Sequence, residues 1–206
     1  MKKSLLLING EAPEALPALE NYDLVACTDG AFQTLLDMGV KADQVDFISG
    51  DFDSLPVGEA SAYYSKLIPT PNQEYPDFHK ALELLVERGM THVDVYGGSG
   101  GEMDHFLGNL TAALQFKNTL KISFYDRYAQ YYFLPKKEVI KGVKDRMVSL
   151  YPFPVAEGIQ TSGLKWELHN ETLDLAKRIG TRNVALSDEV DIQFTHGELL
   201  VFIAHL

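Results

Sequence analysis

The chain of 206 residues has a single cysteine and a single tryptophan, and its 18 Lys and Arg are outnumbered by 29 Asp and Glu. One cysteine excludes an intrachain disulfide and suits a reducing compartment. Cys27 sits in the apolar run Leu24-Val25-Ala26-Cys27 and reads as a core residue, not a nucleophile. The formal net charge of −11 argues against nucleic acid as a partner, because phosphate backbones are bound by basic patches. No apolar run approaches the ~18 residues that a membrane span requires. The opening Met1-Lys2-Lys3 followed by Leu5-Leu6-Leu7-Ile8 has the outline of a signal peptide, but Asn9-Gly10-Glu11 interrupts it early. It reads as the first buried strand of a cytoplasmic protein. Zinc-ligand spacing, Gly-x-Ser-x-Gly, a Cys–His nucleophile pair and the Walker pattern are all missing.

What is present is an ordinary globular composition, 46% apolar, with short apolar runs that end in polar turns. Leu5–Ile8, Asp23–Cys27, Val45–Ser49 and His92–Tyr96 read as buried strands, Leu120–Tyr125 as another, and Lys66–Ile68 as a short one. Helical patterns lie between them. Ala12–Leu19 reads as a short helix with Pro13 in its first turn, and Ala31–Met38 carries an apolar stripe of Phe32, Leu35 and Leu36. After Asp77 the stripe is Phe78, Ala81, Leu82 and Leu85; after Asp104 it is Leu107, Leu110 and Leu114. Asp77 and Asp104 each read as helix caps. Alternating strands and helices predict an α/β fold whose N-terminal part, residues 1–130, is a three-layer domain on a parallel sheet. Residues 131–206 change character to short β-rich runs punctuated by Gly142, Pro152, Pro154, Gly158 and Gly197, which predicts a C-terminal antiparallel β-sandwich. His196-Gly197 reads as the turn of a tight hairpin.

In a parallel α/β sheet, ligands bind beyond the carboxyl ends of the strands. Three polar clusters fall there: Asp29-Gly30, Gly50-Asp51-Phe52-Asp53-Ser54, and Gly97-Gly98-Ser99-Gly100-Gly101 with Asp104, His105 and Asn109. On an extended segment Asp51 and Asp53 share a side, and their mutual repulsion is relieved by a hard divalent cation. An acidic surface turn satisfies the same pattern. Asp77 and Lys80 are neighbours in a first helical turn, suited to a metal–phosphate complex or to a plain surface ion pair. The glycine turn can bring backbone N–H groups to phosphate. His105 is either a general base or a hydrogen-bonded structural histidine. Trp166 either stacks on a ligand or serves as a core or interface residue.

Taken in order, these segments resemble the thiamine pyrophosphokinase family. The likeness is carried by Asp29-Gly30-Ala31, Gly50–Ser54, Pro71-Asn72-Gln73, Asp77-Phe78-His79-Lys80, the glycine turn with Asp104-His105 and Asn109, Gly163-Leu164-Lys165-Trp166, and Gly197–Val201. It spans nearly the whole chain. The resemblance implies pyrophosphoryl transfer from ATP to the hydroxyl of thiamine, giving thiamine diphosphate and AMP, in a homodimer with shared active sites. It makes residues 1–130 the catalytic domain and residues 131–206 the thiamine-binding and dimerisation domain. It implies that Asp51, Asp53 and Asp77 hold Mg2+ with Asp104 nearby, and that Lys80 and the glycines Gly98, Gly100 and Gly101 contact phosphates. Asp29, Gly30, Ser54, His105 and Asn109 would complete the nucleotide site. Gln73, Trp166 and Asn183 would contact thiamine, Trp166 from a second subunit.

Two positions depart from the family pattern. Glu102 stands where the family usually has Arg, and a carboxylate there repels phosphate. Arg182-Asn183 stands where it has Ser-Asn, which alters the thiamine contacts at Arg182. The competing readings are another Mg-dependent nucleotide or pyrophosphoryl transferase, and a non-catalytic protein that binds thiamine or a nucleotide.

Overall fold

The computed structural model describes residues 1–52 and 63–205, which fall into two compact units, Met1–Arg127 and Tyr128–Leu206. Asp53 and Ser54 lie outside the described residues.

In the first unit six strands form a wholly parallel sheet: β1 (Lys3–Leu7), β2 (Leu24–Thr28), β3 (Phe47–Gly50), β4 (Leu67–Pro69), β5 (His92–Tyr96) and β6 (Lys121–Tyr125). Their spatial order is β4-β3-β2-β1-β5-β6. The order reverses between β1 and β5, and such a switch point is where an open parallel sheet presents a crevice at its carboxyl edge. Leu5, Leu7, Val25, Cys27 and Ile48 line one sheet face and pack against Ala31, Phe32 and Leu35 of α1 (Asp29–Asp37). The opposite face carries Phe124, which meets Phe78 of α2 (Asp77–Glu87), and α2 packs in turn on α3 (Met103–Phe116). Leu6 is in register with Val95, and Val95 with Phe124, so the two faces belong to alternate residues, as the pleat demands.

Several local expectations are corrected. Residues 12–18 form no helix, and only Leu19–Asn21 makes a single 3-10 turn. Pro17 would remove a helical N–H and forces Leu16 out of the α region. Asp77 and Asp104 sit inside the first turns of α2 and α3; the cap positions belong to Pro76 and Glu102, and neither makes a side-chain cap bond. On α3, Leu110, Ala112 and Ala113 are buried, whereas Leu107 is 56% exposed.

The second unit is antiparallel throughout: β7 (Ala129–Phe133), β8 (Lys137–Lys141), β9 (Met147–Ser162), β10 (His169–Asp174), β11 (Gly180–Val184), β12 (Glu189–Gln193) and β13 (His196–Ala204). The single long strand β9 pairs with β10, β11, β12 and β13, and a core including Leu150, Ile159, Leu173, Val190 and Leu199 closes the sandwich. Pro152, Pro154 and Gly158 lie within β9 instead of dividing it. Between Leu199↔Pro152 and Gly197↔Ala156, three residues of β9 face one of β13, a bulge in which Pro154 need donate no ladder bond. His196-Gly197 opens β13 and is not a hairpin turn, since β12 and β13 both pair with β9 and not with each other. Between β9 and β10, residues 163–168 form no strand, and Leu164 makes only an isolated bridge to Ala185.

Candidate active site

A cleft of about 680 Å³ opens at the carboxyl edge of the first unit's sheet. Its floor is laid by two turns that touch where the strand order reverses. After β1, Gly10 lies so close to the glycine turn after β5 that an added Cβ would sit 2.3 Å from the Gly97 carbonyl oxygen. Gly97 has φ +72°, and its own Cβ would fall 2.1 Å from the Ile8 carbonyl oxygen. The Glu11 amide donates to the Ser99 carbonyl at 2.8 Å. Gly100 and Gly101 also hold positive φ, and Gly101 faces open space. Asn109 on α3 donates to the Gly98 carbonyl at 3.0 Å, which ties the turn to the helix. Sequence reasoning misses Asn9 and Gly10. Their signal is an Asn-Gly pair at the end of a buried strand, which by itself reads only as a strand terminator.

The carboxylates converge on this cleft. Asp29, Asp51, Glu74, Asp77, Glu102 and Asp104 line it, and Lys80 is the one lysine or arginine among the described lining residues. Lys80 is buried, 6% exposed. Its ammonium lies 2.7 Å from Asp77 Oδ1 and donates to the Thr70 and Asn72 carbonyls at 2.8 and 3.1 Å. Three donors are thus committed to three acceptors. The side chain expected to meet phosphate instead fastens the segment after β4 to the first turn of α2. That segment carries Gln73, whose amide donates to Asp51 Oδ2 at 3.4 Å, and Tyr75, which stacks on His79 at 4.2 Å.

Asp29 also spends its carboxylate internally. Oδ1 accepts from the Gly30 amide at 2.7 Å and Oδ2 from the Phe52 amide at 3.0 Å. Asp104 Oδ1 accepts from the His105 amide at 3.0 Å, while the His105 ring lies 3.7 Å from Glu102, both well exposed. Among the described residues no trio of His, Cys, Asp or Glu converges closely enough to hold a metal, and Asp53 is not among them. The donor chemistry of the cleft nevertheless fits a hard divalent cation: its described lining carries six carboxylates against one ammonium, so negative charge is in large excess there.

Trp166 and Asn183 belong to the second unit. The Asn183 amide brackets the Trp166 backbone, accepting from its N–H at 3.1 Å and donating to its carbonyl at 2.7 Å. The indole is 57% exposed, and the Lys165 ammonium lies 4.6 Å from the ring centroid. Arg182 takes positive φ (57°) beside it and its amide donates to Ser149 Oγ.

Fold and site together define a two-unit α/β enzyme with its cleft at the switch point of a parallel sheet. Residues 16–124 match the family model described as thiamin pyrophosphokinase, catalytic domain, and residues 134–199 match thiamin pyrophosphokinase, vitamin B1 binding domain. The chain belongs to the thiamin pyrophosphokinase family. It is similar to thiamine pyrophosphokinase of Bacillus subtilis, 25% identical over 212 residues that cover 97% of both chains. Thiamine pyrophosphokinase 1 of rice is 25% identical over 219 residues, covering 92% of this chain and 82% of its own. Among solved structures, a thiamin pyrophosphokinase family protein from Enterococcus faecalis superposes with a TM-score of 0.86 at 21% identity over the whole of both chains. The Bacillus subtilis enzyme superposes with a TM-score of 0.82 at 23% identity over 98% of both. No helix among the described residues is long and apolar enough to cross a membrane.

Proposed function

We propose that this chain transfers the pyrophosphoryl group of ATP to the hydroxyl of thiamine in a Mg2+-dependent reaction that yields thiamine diphosphate and AMP. One observation carries the reading beyond the family: among the described residues six carboxylates line the cleft, and the single ammonium beside them is already spent on Asp77 and two carbonyls. Such a cleft draws a fixed cation such as thiamine and admits a polyphosphate only together with divalent metal. Asp51, Asp53 and Asp77 would hold Mg2+, with Asp104 nearby. A metal held there would supply positive charge against the charge that develops on the phosphate oxygens.

The chain's own residues position and neutralise, which is most of what phosphoryl-type transfer asks of a protein. Gly98, Gly100 and Gly101 would let the nucleotide approach the backbone, with Gly30, Ser54, His105 and Asn109 around it. A carboxylate of the Asp51/Asp53 pair would take the thiamine hydroxyl proton. Gln73, Trp166 and Asn183 would contact thiamine, Trp166 from the second subunit of a homodimer. In this scheme residues 1–130 are the catalytic domain, residues 131–206 bind thiamine and form the dimer, and the enzyme works in the cytoplasm.

The test is incubation of the purified chain with thiamine, ATP and Mg2+, followed by detection of AMP and thiamine diphosphate. Thiamine-dependent, Mg2+-dependent release of AMP is the expected result. AMP released only with another hydroxyl acceptor would move the chain to a different pyrophosphoryl transferase. Saturable binding of thiamine or nucleotide without turnover would make it a binding protein.

A further inference from the structure

The turn after β3 holds an unusual backbone. Phe52, a bulky aromatic residue, sits at φ +61°, in the left-handed region that side chains other than Gly, Asn and Asp rarely adopt. Such a conformation persists only where the surroundings over-determine it. Phe52 is half-buried and packs on the core beneath α1. The other restraint is a hydrogen bond, since its amide donates to Asp29 Oδ2 at 3.0 Å. The second Asp29 oxygen is fixed by the Gly30 amide at the start of α1. The carboxylate therefore bridges the beginning of a helix and the turn beyond the adjacent strand. Gly50 makes room for it: a Cβ there would lie 2.2 Å from the Asp29 carboxylate. Sequence resemblance places Asp29 against the nucleotide, but both of its oxygens already serve backbone donors.

We infer that Asp29 is a positioning residue whose carboxylate, lodged in the space left by Gly50, pins the Phe52 amide and so fixes the direction in which Asp51 enters the cleft. The inference rests on the proposed metal role of Asp51. A group that orients a metal ligand without touching the ion alters affinity by about 10–100-fold when removed. Asparagine and alanine separate this role from direct ligation. The side-chain amide oxygen that Asp29→Asn introduces can keep the bond to Phe52, because the Gly30 amide stands at an exposed helix start and can turn to water. Alanine keeps neither bond.

The experiment uses the full chain with Mn2+ alone as a paramagnetic stand-in, measuring its dissociation constant by the resonance of the free ion and the hydrogen-exchange rate of the Phe52 amide by NMR. Asp29→Ala should weaken Mn2+ about tenfold or more and speed Phe52 exchange by a similar factor, while Asp29→Asn stays within about threefold of wild type on both. Gly50→Ala should reproduce Asp29→Ala, because its Cβ evicts the carboxylate, and should add nothing in the Asp29→Ala background. If Asp29→Ala does not fold, Asp29→Asn and Gly50→Ala carry the same contrast. Unchanged Mn2+ affinity in Asp29→Ala or Gly50→Ala overturns the inference. So does an Asp29→Asn chain that loses Mn2+ while its Phe52 amide stays protected, the signature of a direct ligand. A wild-type chain without saturable Mn2+ binding would remove the metal reading itself, and the role assigned to Asp29 with it.

Discussion

The Lys80 ammonium lies 2.7 Å from the Asp77 carboxylate and is itself 6% exposed, so the one ammonium described in the cleft faces inward. A buried charge is tolerated only when its hydrogen-bonding capacity is filled, and here two carbonyls and a carboxylate fill it. Lys80→Met keeps the aliphatic stem and strands those three acceptors. A stability loss of about 1.5–3 kcal/mol is expected, the scale of losing hydrogen bonds to a charged group, read by urea unfolding. Gln73, the proposed thiamine contact, follows Asn72 directly, so KM for thiamine should rise more than KM for ATP. A larger change for ATP would return Lys80 to the phosphates.

Asp51 and Asp77 line the same cleft from different elements, one after β3 and one in the first turn of α2. Asp51→Asn and Asp77→Asn preserve shape and remove charge. Each should lower thiamine-dependent AMP formation about 100-fold or more, the scale of losing one electrostatic stabiliser. Thermal unfolding should be little altered in Asp51→Asn, whereas Asp77→Asn also takes the countercharge from the buried Lys80 ammonium and should unfold earlier. Near-wild-type AMP formation in either variant would withdraw the metal assignment.

The placement of that rim is legible because β/α alternation leaves a strong imprint: apolar runs of four or five residues, each followed by Gly, Asp or Asn, and helical stripes between them. Asp29, Gly50 and the glycine turn therefore fall at strand ends on pattern alone. What each side chain does there is not legible. Lys80 and Asp77 read as neighbours, correctly, but nothing in their spacing says that the ammonium turns inward toward Thr70 and Asn72. Nor does a sequence show that Asp29 reaches across to the amide of residue 52. The second unit is harder because its pairing is non-local. Pro152 and Pro154 read as strand breakers, and only the bulge opposite β13 explains how β9 runs through them.

Gly97 and Gly101 both hold positive φ in one turn, yet they differ in surroundings. At Gly97 an added methyl meets the Ile8 carbonyl oxygen at 2.1 Å, on backbone just past β1 that is itself bonded to the Tyr96 carbonyl; at Gly101 it meets open space. Gly101→Ala should cost only the left-handed penalty of about 1–2 kcal/mol. Gly97→Ala should cost clearly more by urea unfolding, since it adds a clash with backbone to the same penalty. Equal losses would mean that the contact between the two turns is easily relieved.

Asp94 on β5 is buried and receives the Tyr22 hydroxyl at 2.7 Å and the Lys3 ammonium at 2.6 Å, with Tyr96 and Tyr125 stacked nearby. Burial first, then the Asp94 carboxylate, pushes the Tyr96 phenol up to about 12 and holds Tyr22 and Tyr125 well above the usual phenol range. A phenol whose pKa is raised by folding stabilises the native state fully below its unfolded value of about 10, and that contribution is lost as pH rises above it. The thermal midpoint should therefore fall between about pH 9.5 and 11 as the unfolded chain ionises first. Tyr22→Phe should flatten the fall. An unchanged slope would separate this cluster from the alkaline limit of the fold.

Trp166 is the only tryptophan, so its fluorescence reports one place in the second unit. Its backbone is held by the Asn183 amide, which also accepts from the Val184 N–H at 2.9 Å. Asn183→Ala removes all three bonds at a half-exposed position. The net loss should be about 1–2 kcal/mol, smaller than at a buried site because water can replace the amide. The indole should become more accessible to acrylamide, since the loop that presents it is no longer fixed. If Trp166 contacts thiamine, saturating thiamine should quench the wild-type emission, and the titration midpoint should move to higher thiamine in Asn183→Ala. The indole would then be a binding element whose placement depends on Asn183. Emission indifferent to thiamine in a catalytically active homodimer would take Trp166 out of the substrate site and leave the Lys165 contact as its only described ring partner.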